Sequence, residues 1–535
     1  MNIGIFLGYG PHVKLGKEGL GRYLAGLVKG FQTNGSMITI AMPKWSTDTI
    51  NALFEDFEIN PSNIEIITTR REPVAWKLFD AFSQKRKNRH RWNFNTKVIN
   101  AVIEYLSKVT EVKSPIVFAI GVLPIPLLII AIVFVLVLIF NKIYLAISIK
   151  IIVFFAMLIT IACLVAAVCL VIYKRKLSLE KKEEFKDDVQ IFNRRAKSIP
   201  IKVFKKMCDS EVDELMRIIN SKQHPDVWFV PSIFWPQIKK IENTPVVINV
   251  PDLVTQEFPE KYADKISSNS VSSCRETIEN GKYFITYSDF IKYDLLMNQY
   301  NKEKQDIVTI KHVNNDLSQY LRLVDTVTSL GNNVDWELKY AHEILGNRIK
   351  EDVKYIFYAS QIRPNKNVLS LVKAYEFLLR RKYIKHKLLL TGDYSIHKEI
   401  KEYITNQQLE NDIIIFNNVP AKTLAALYKC ADLAVNPTLY EGGFPFTFCE
   451  AMSVGTPCIL SDIPQTREEI EPAGLTQVLF DPYDYLKIAE KIGWALQNLD
   501  DLYKIELPLY ERMSSRTYGM VADEYVRTFE MFTGK

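Results

Sequence analysis

The chain lacks patterned cysteines, any Asp-x-Asp pair, a basic leader and a strong excess of either charge. Each absence closes a class of function. The seven cysteines take no metal-ligand spacing: Cys163 and Cys169 stand in an apolar segment, and Cys208, Cys274, Cys430, Cys449 and Cys458 are far from any Cys-x-x-Cys pattern. An odd, unpatterned set in a large chain indicates reduced thiols in a cytosolic compartment. No secretory signal is expected, because the first residues read directly as an apolar strand, Asn2 to Leu7. A net charge of +6 is small for 535 residues, and basic residues are interspersed with acids over most of the chain. No nucleic-acid partner is expected on that ground. The length itself exceeds what one core fills and implies at least two domains.

Apolar residues are concentrated in one place. No charged residue occurs between Lys113 and Lys142, or between Lys150 and Lys174. Each interval is long enough to cross a bilayer, which takes roughly 20 apolar residues. Pro124 and Pro126 are tolerable kinks in such a span. Neither interval carries the polar stripe of a buried core helix. Lys174, Arg175, Lys176, Lys181, Lys182 and Lys186 follow the second run, while Lys85, Arg86, Lys87, Arg89, Arg91, Lys108 and Lys113 precede the first. The bias puts both outer ends in the cytoplasm. The expectation is a transmembrane hairpin over 114–173, spanning or re-entrant, in the cell membrane, with both catalytic domains on the cytoplasmic side. The 85–91 cluster reads equally as a lipid-facing patch or as a solvated charged face.

Outside that segment, strands alternate with helices in two series. The first contains strands 2–7, 37–42, 64–68, 227–230, 245–250, 283–286 and 306–310. Gly8, Gly10, Gly16, Gly19 and Gly21 crowd the first strand-to-helix loop. Glycine at Gly19 and Gly21 lets a backbone approach a phosphate at a helix N-terminus, or simply makes a turn. Two helices, Leu317 to Leu330 and Trp336 to Ile349, interrupt the rhythm. The second series has strands 353–359, 387–390, 413–416, 431–435 and 458–460, with helices 368–381, 421–429, 446–454, 484–497 and 511–532. Its centre is Tyr440-Glu441-Gly442-Gly443-Phe444-Pro445, which leads into Glu450-Ala451-Met452 and Gly455-Thr456-Pro457. Two acids and a glycine pair therefore sit at the carboxyl end of a parallel sheet, where open α/β sheets bind ligands.

The order of these motifs resembles the GT-B glycosyltransferases, in particular the large retaining family 4. It runs Arg363 and Lys366, Thr391-Gly392-Asp393, Tyr428 before Ala431-Asp432, Pro437-Thr438-Leu439-Tyr440-Glu441-Gly442, then Glu450-Ala451-Met452. The resemblance covers the chain outside the hairpin and is strongest from Val353 to Gln497. It implies an α/β fold of two Rossmann-like domains facing a cleft, with an α-helical transmembrane hairpin inserted in the first. The expected parts are 1–113 and 174–312 for the N-terminal domain, 114–173 for the hairpin and 313–350 for a helical linker. The nucleotide-sugar domain is 351–510, and the helix 511–535 crosses back to the first domain.

The resemblance also assigns roles. Arg363 and Lys366 grip the diphosphate of a nucleotide-sugar donor, and Glu441 contacts the donor sugar. Backbone amides around Gly442, Gly443 and Phe444 face the sugar and diphosphate. Glu450 accepts from the ribose hydroxyls, for which a two-oxygen acceptor is suited. Gly19 and Gly21 face the diphosphate across the cleft. Asp252 falls where the family often has His-Asp, and Ser288 falls at a structural serine. Three departures stand out. Glu441 and Glu450 are one residue further apart than in the family, and the extra residue is placed in Gly443 to Thr447. Arg363 stands two residues closer to Lys366 than usual. Pro251 replaces the histidine before Asp252.

The resulting expectation is a membrane-anchored retaining glycosyltransferase with a hexosyl donor, no cofactor and no metal, since no Asp-x-Asp marks a metal-dependent donor site. Its partners would be a nucleotide sugar, the bilayer, a lipid-linked or other glycan acceptor, and other components of surface polysaccharide assembly. A catalytically inactive GT-B scaffold of a polysaccharide assembly complex and a nucleotide-sugar isomerase are the alternatives.

Overall fold

The computed structural model describes residues 1–11, 13, 15–17, 19–70, 199–222, 224–262, 265–321, 335–395 and 397–535. By internal contacts, residues 1–70 and 212–535 make one compact unit and 71–211 another. Both sheets belong to the first unit.

That unit holds two parallel sheets. The first has strands β1 (Asn2–Phe6), β2 (Met37–Met42), β3 (Ile64–Thr68), β4 (Val227–Val230), β5 (Val246–Val250), β6 (Tyr283–Thr286) and β7 (Ile307–Thr309). Their spatial order is β3-β2-β1-β4-β5-β6-β7. The second has β8 (Tyr355–Tyr358), β9 (Lys387–Thr391), β10 (Ile413–Phe416), β11 (Leu433–Asn436), β12 (Cys458–Ser461) and β13 (Leu479–Phe480), ordered β10-β9-β8-β11-β12-β13. The order reverses between β1 and β4 and again between β8 and β11, so each sheet has a switch-point crevice at its carboxyl end. The two sets of strand-end loops meet across a cleft.

The central strands are largely apolar because helices cover both faces. All four residues of β4, β8, β11 and β12 are buried. The helix Val368–Arg381 buries Val368, Leu371, Val372, Tyr375 and Leu378, a stripe at the helical period, and its other face stays polar.

The last helix, Tyr518–Thr533, lies on the first sheet's helix Gly19–Thr33. A Cβ on Gly26 would fall 2.3 Å from the Tyr518 ring, and one on Gly30 would fall 2.5 Å from the Tyr518 carbonyl oxygen. Only bare backbone allows that approach. Tyr525 and Phe529 then pack against Phe31 and Phe229 in the core.

Several elements depart from the sequence reading. The segment between β6 and β7 contains a π-helix, Ile291–Met297, rather than an α-helix. The segment read as a helix from Leu317 begins with a single turn, Ser318–Tyr320, and residues 322–334 lie outside the described residues. Helices Thr47–Asp56, Lys265–Asn280, Lys398–Asn406 and Pro464–Ile470 were not anticipated. The expected helix from 511 is two helices, Leu499–Ser514 and Tyr518–Thr533.

The membrane expectation is corrected. Among the described residues no helix is long and apolar enough to cross a membrane. The longest described helix, Ile199–Asn220, is interrupted by Lys206, Asp209, Asp213, Glu214 and Arg217. Segment 114–173, on which the hairpin rested, lies outside the described residues. The transmembrane hairpin in the fold class and the anchoring it implied are withdrawn. The bilayer as a partner, the lipid-linked acceptor inferred from it, and the cell-membrane localisation with cytoplasm-facing domains go with them.

Candidate functional site

The loops after β8 and β11 are tied together by one buried amide. Asn365 Nδ2 donates to the Tyr440 carbonyl oxygen at 3.1 Å, while the Asn365 carbonyl accepts from the Leu439 N–H at 2.8 Å and from Thr438 Oγ1 at 3.2 Å. Pro364 starts a tight turn, and Asn367, at φ 54°, swings the chain into the helix Val368–Arg381. The result is an ion pair at the sheet's carboxyl edge, with Lys366 Nζ 2.5 Å from Glu441 Oε1 and both side chains mostly shielded from water. Arg363 is exposed and turns its Nη2 to Gln361 Oε1 at 2.6 Å.

Asp252, after β5, stands opposite. Its side chain reaches solvent at the cleft, yet protein surrounds it closely enough to raise its pKa. The Val254 N–H and the charges of Arg363 and Lys366 pull the other way, and Glu441 adds to the rise. The two halves therefore bring Asp252, Arg363, Lys366 and Glu441 into one electrostatic cluster. Tyr440 ties it shut by accepting the Leu253 N–H at 2.9 Å, and Tyr262 donates to Asn365 Oδ1 at 2.9 Å.

Glu450 sits on the helix Phe446–Met452 and is buried. It accepts from Asn315 Nδ2 at 2.9 Å and from the Tyr428 hydroxyl at 3.2 Å. Burial pushes its carboxyl up, while Asn315, Tyr428 and the charge of Arg22 draw it down. Arg22 belongs to the first turns of the helix Gly19–Thr33, where its Nε donates to the Gly16 carbonyl at 3.3 Å.

The glycines have different work. Gly19 opens the helix Gly19–Thr33. At Gly21 a Cβ would fall 2.1 Å from the Leu15 carbonyl oxygen, so its bareness serves the packing of its own loop. At Gly442 a Cβ would fall 1.7 Å from the Pro251 carbonyl oxygen, and Ser288 Oγ donates to the Gly442 carbonyl at 3.0 Å. Gly443 lies against Tyr287 and His312, and Phe444 packs edge-on to Phe448 at 5.4 Å. Pro251 thus offers its carbonyl as a contact surface for the second half.

Sequence reasoning missed Arg22, Asn315, His312 and Glu468. His312 follows β7 and is buried, with its ring 4.1 Å over Phe446. Burial holds its pKa down at about 4, against the Val313 and Phe444 carbonyls and Glu441, which favour the proton. Glu468 accepts from the Asp289 and Phe290 N–H groups at 3.0 and 2.8 Å, a link from the second half to the first. The available signal was position, since His312 stands two residues past the last apolar residue of a strand. Among the described residues no group of three or more His, Cys, Asp or Glu side chains is placed to hold a metal ion.

Comparison with known proteins agrees with this architecture. Residues 343–519 match the family model "Glycosyl transferases group 1". The O-antigen chain mannosyltransferase B of Escherichia coli is 27% identical over 233 residues, 43% of this chain and 54% of that protein. The UDP-Gal:alpha-D-GlcNAc-diphosphoundecaprenol alpha-1,3-galactosyltransferase of Escherichia coli is 28% identical over 149 residues, 26% of this chain and 37% of that protein. The chain spans about half or less of the length of these relatives. Among solved structures, a glycosyltransferase from Rickettsia africae superposes with a TM-score of 0.51 at 15% identity, covering 99% of this chain and 98% of that one. Anabaena Alr3699/HepE in complex with UDP superposes with a TM-score of 0.52 at 12% identity, covering 99% of each. The fold is GT-B-like. The matched region is similar in sequence to glycosyltransferases, and neither likeness selects a retaining family-4 enzyme.

Proposed function

We propose that this chain transfers a sugar from a nucleotide-diphosphate sugar to a hydroxyl acceptor, with retention of anomeric configuration. The observation that carries the proposal is the Lys366–Glu441 pair at the carboxyl edge of β8 and β11, facing Asp252. A diphosphate entering beside it gives Lys366 an anionic partner, with Arg363 as a second cation at the rim. Charge grows on that diphosphate as it leaves, so cations held there stabilise the transition state more than the ground state. Freed from Lys366, Glu441 accepts hydrogen bonds from the donor sugar. In this reading the N–H groups of 442–444 donate to the sugar and diphosphate, and Glu450 is the acceptor for a ribose diol, exchanging Asn315 for a hydroxyl.

The reaction balances without a protein nucleophile. The bond from the anomeric carbon to the phosphate oxygen breaks, and the acceptor oxygen bonds on the same face. The acceptor proton passes to the departing phosphate. Both halves wall the site, which keeps water from competing with the acceptor.

The test uses purified full-length protein with uridine- and guanosine-diphosphate sugars, reading binding by calorimetry and nucleotide release by turnover. Lys366→Ala should lower turnover by about 100-fold or more, the scale seen when one transition-state donor is removed. Glu441→Gln should lower it as well. If no such donor binds, the proposal fails. Donor binding without turnover on any glycan acceptor selects the inactive scaffold instead.

A further inference from the structure

A second cavity lies beside this site, on the far side of the 442–446 segment. Its volume is about 390 Å³, within the range of about 300–1,000 Å³ typical of small-molecule sites and far beyond the share of one water, about 30 Å³. Arg363, Lys366, Glu441 and Glu450 do not line it. Its walls come from the ends of β6 and β7, the start of the helix Pro464–Ile470, and the passage from Leu499–Ser514 to Tyr518–Thr533.

The charges around the cavity are already satisfied within the protein. Lys311 and Arg512 both pair with Glu469. Arg516 makes a two-pronged pair with Glu524 at 2.7 and 2.6 Å, and Glu468 is held by two backbone N–H groups. An ionic ligand would have to break these pairs, two of whose cations share the one Glu469 carboxylate. What remains unsatisfied is neutral. Gln465 is 1% exposed, and neither its Oε1 nor its Nε2 has a partner. Asn314 Oδ1 is likewise buried and unpartnered. A buried amide left this way is destabilising unless something in the cavity meets it. His312 adds an uncharged imidazole, and Tyr287 and Phe444 add ring surface.

We infer that this cavity binds a neutral polyhydroxylated molecule of monosaccharide size, with Gln465 and Asn314 as its hydrogen-bonding groups. One amide offering both a donor and an acceptor matches a hydroxyl pair, and ring walls match the apolar face of a pyranose. The same chemistry has two sources: a distal unit of the glycan acceptor, or a free sugar acting as an effector. Because both halves and the crossover segment wall the cavity, its occupant favours the closed cleft. Sugar and nucleotide diphosphate therefore tighten each other's binding.

Full-length protein is titrated calorimetrically with glucose, galactose, mannose and, as a charged control, gluconate, with and without UDP or GDP. At least one neutral hexose should bind at millimolar concentration and gluconate should not. The nucleotide should strengthen the hexose affinity. Gln465→Leu should weaken it by about tenfold, the scale of one buried hydrogen bond, and leave nucleotide binding unchanged. Asn314→Leu, at a partly open position, gives the same reading if Gln465→Leu does not fold. Hexose inhibition competitive with the glycan acceptor identifies an acceptor subsite, and inhibition or activation without competition identifies an effector site. Absence of hexose binding, or binding that survives both substitutions at full strength, overturns the inference. Loss of nucleotide binding instead would strike the donor-site proposal, so the two failures are distinguishable.

Discussion

His312 is uncharged at neutral pH because burial holds its pKa down at about 4, whereas an unfolded histidine titrates near 6.5. Between those values the unfolded chain binds more protons than the folded one. Its contribution is therefore constant above about pH 6.5, is lost as the pH falls, and levels off below about pH 4. The full difference amounts to about 3 kcal/mol. His312→Asn should flatten this part of the pH dependence: the fall in Tm from pH 7.5 to pH 5 should be smaller in the variant than in the wild type. An equal fall in both would show that other groups set the acid limit. At this scale the sequence was uneven. Glu441 drew attention because it stands beside Gly442 and Gly443 after a strand, and Lys366 and Glu450 because of their order around it in the chain. Arg22, Asn315 and His312 were not, because their roles come from residues over a hundred positions away. Arg363 was legible as a cation, but its turn toward Gln361 depends on the short Pro364–Lys366 turn, which no spacing rule describes.

Strands were easier to read than helices, for a physical reason. A parallel strand covered on both faces is an apolar run, so nearly every strand announced itself. The helix Lys265–Asn280 is rich in serine and charge, and Cys274, Thr277 and Ile278 are the residues the structure shows buried along it. Without a full apolar stripe it gave no periodic signal. The loop 442–445 is the other case. Its glycines were legible, but the carbonyl they accommodate belongs to Pro251, in the other half of the molecule. Gly442→Ala places a methyl where only 1.7 Å separates it from that carbonyl oxygen. The two loops must part there, while both sheets keep their cores. Turnover should fall by about 100-fold, the cost of misplacing reacting groups by about an ångström, with little change in Tm. A variant of wild-type activity would show that the loop yields without moving Glu441.

The whole unit holds its cleft closed through a few polar links. Glu468 takes two N–H groups of the first half, Asn315 reaches Glu450, and Tyr440 takes the Leu253 N–H. These links are few and individually modest, as a cleft that admits and releases substrate requires. Glu468→Ala removes two of them without touching the donor residues. The KM for the donor should rise by about tenfold, with kcat changed less. An unaltered KM would mean that closure rests elsewhere. The two-sheet organisation was legible from the alternation of strands and helices, whereas the closing contacts were not, since they exist only once both sheets are assembled. The helix Tyr518–Thr533 adds a consequence in time. It seals the core of the first sheet, yet it follows every strand of both sheets in the chain. During translation the second sheet, contiguous in the chain, has all its strands well before the first has its final wall. The half that is made first is thus the half that finishes folding last, and its apolar surface near Phe31 and Phe229 stays uncovered until Tyr518–Thr533 has emerged.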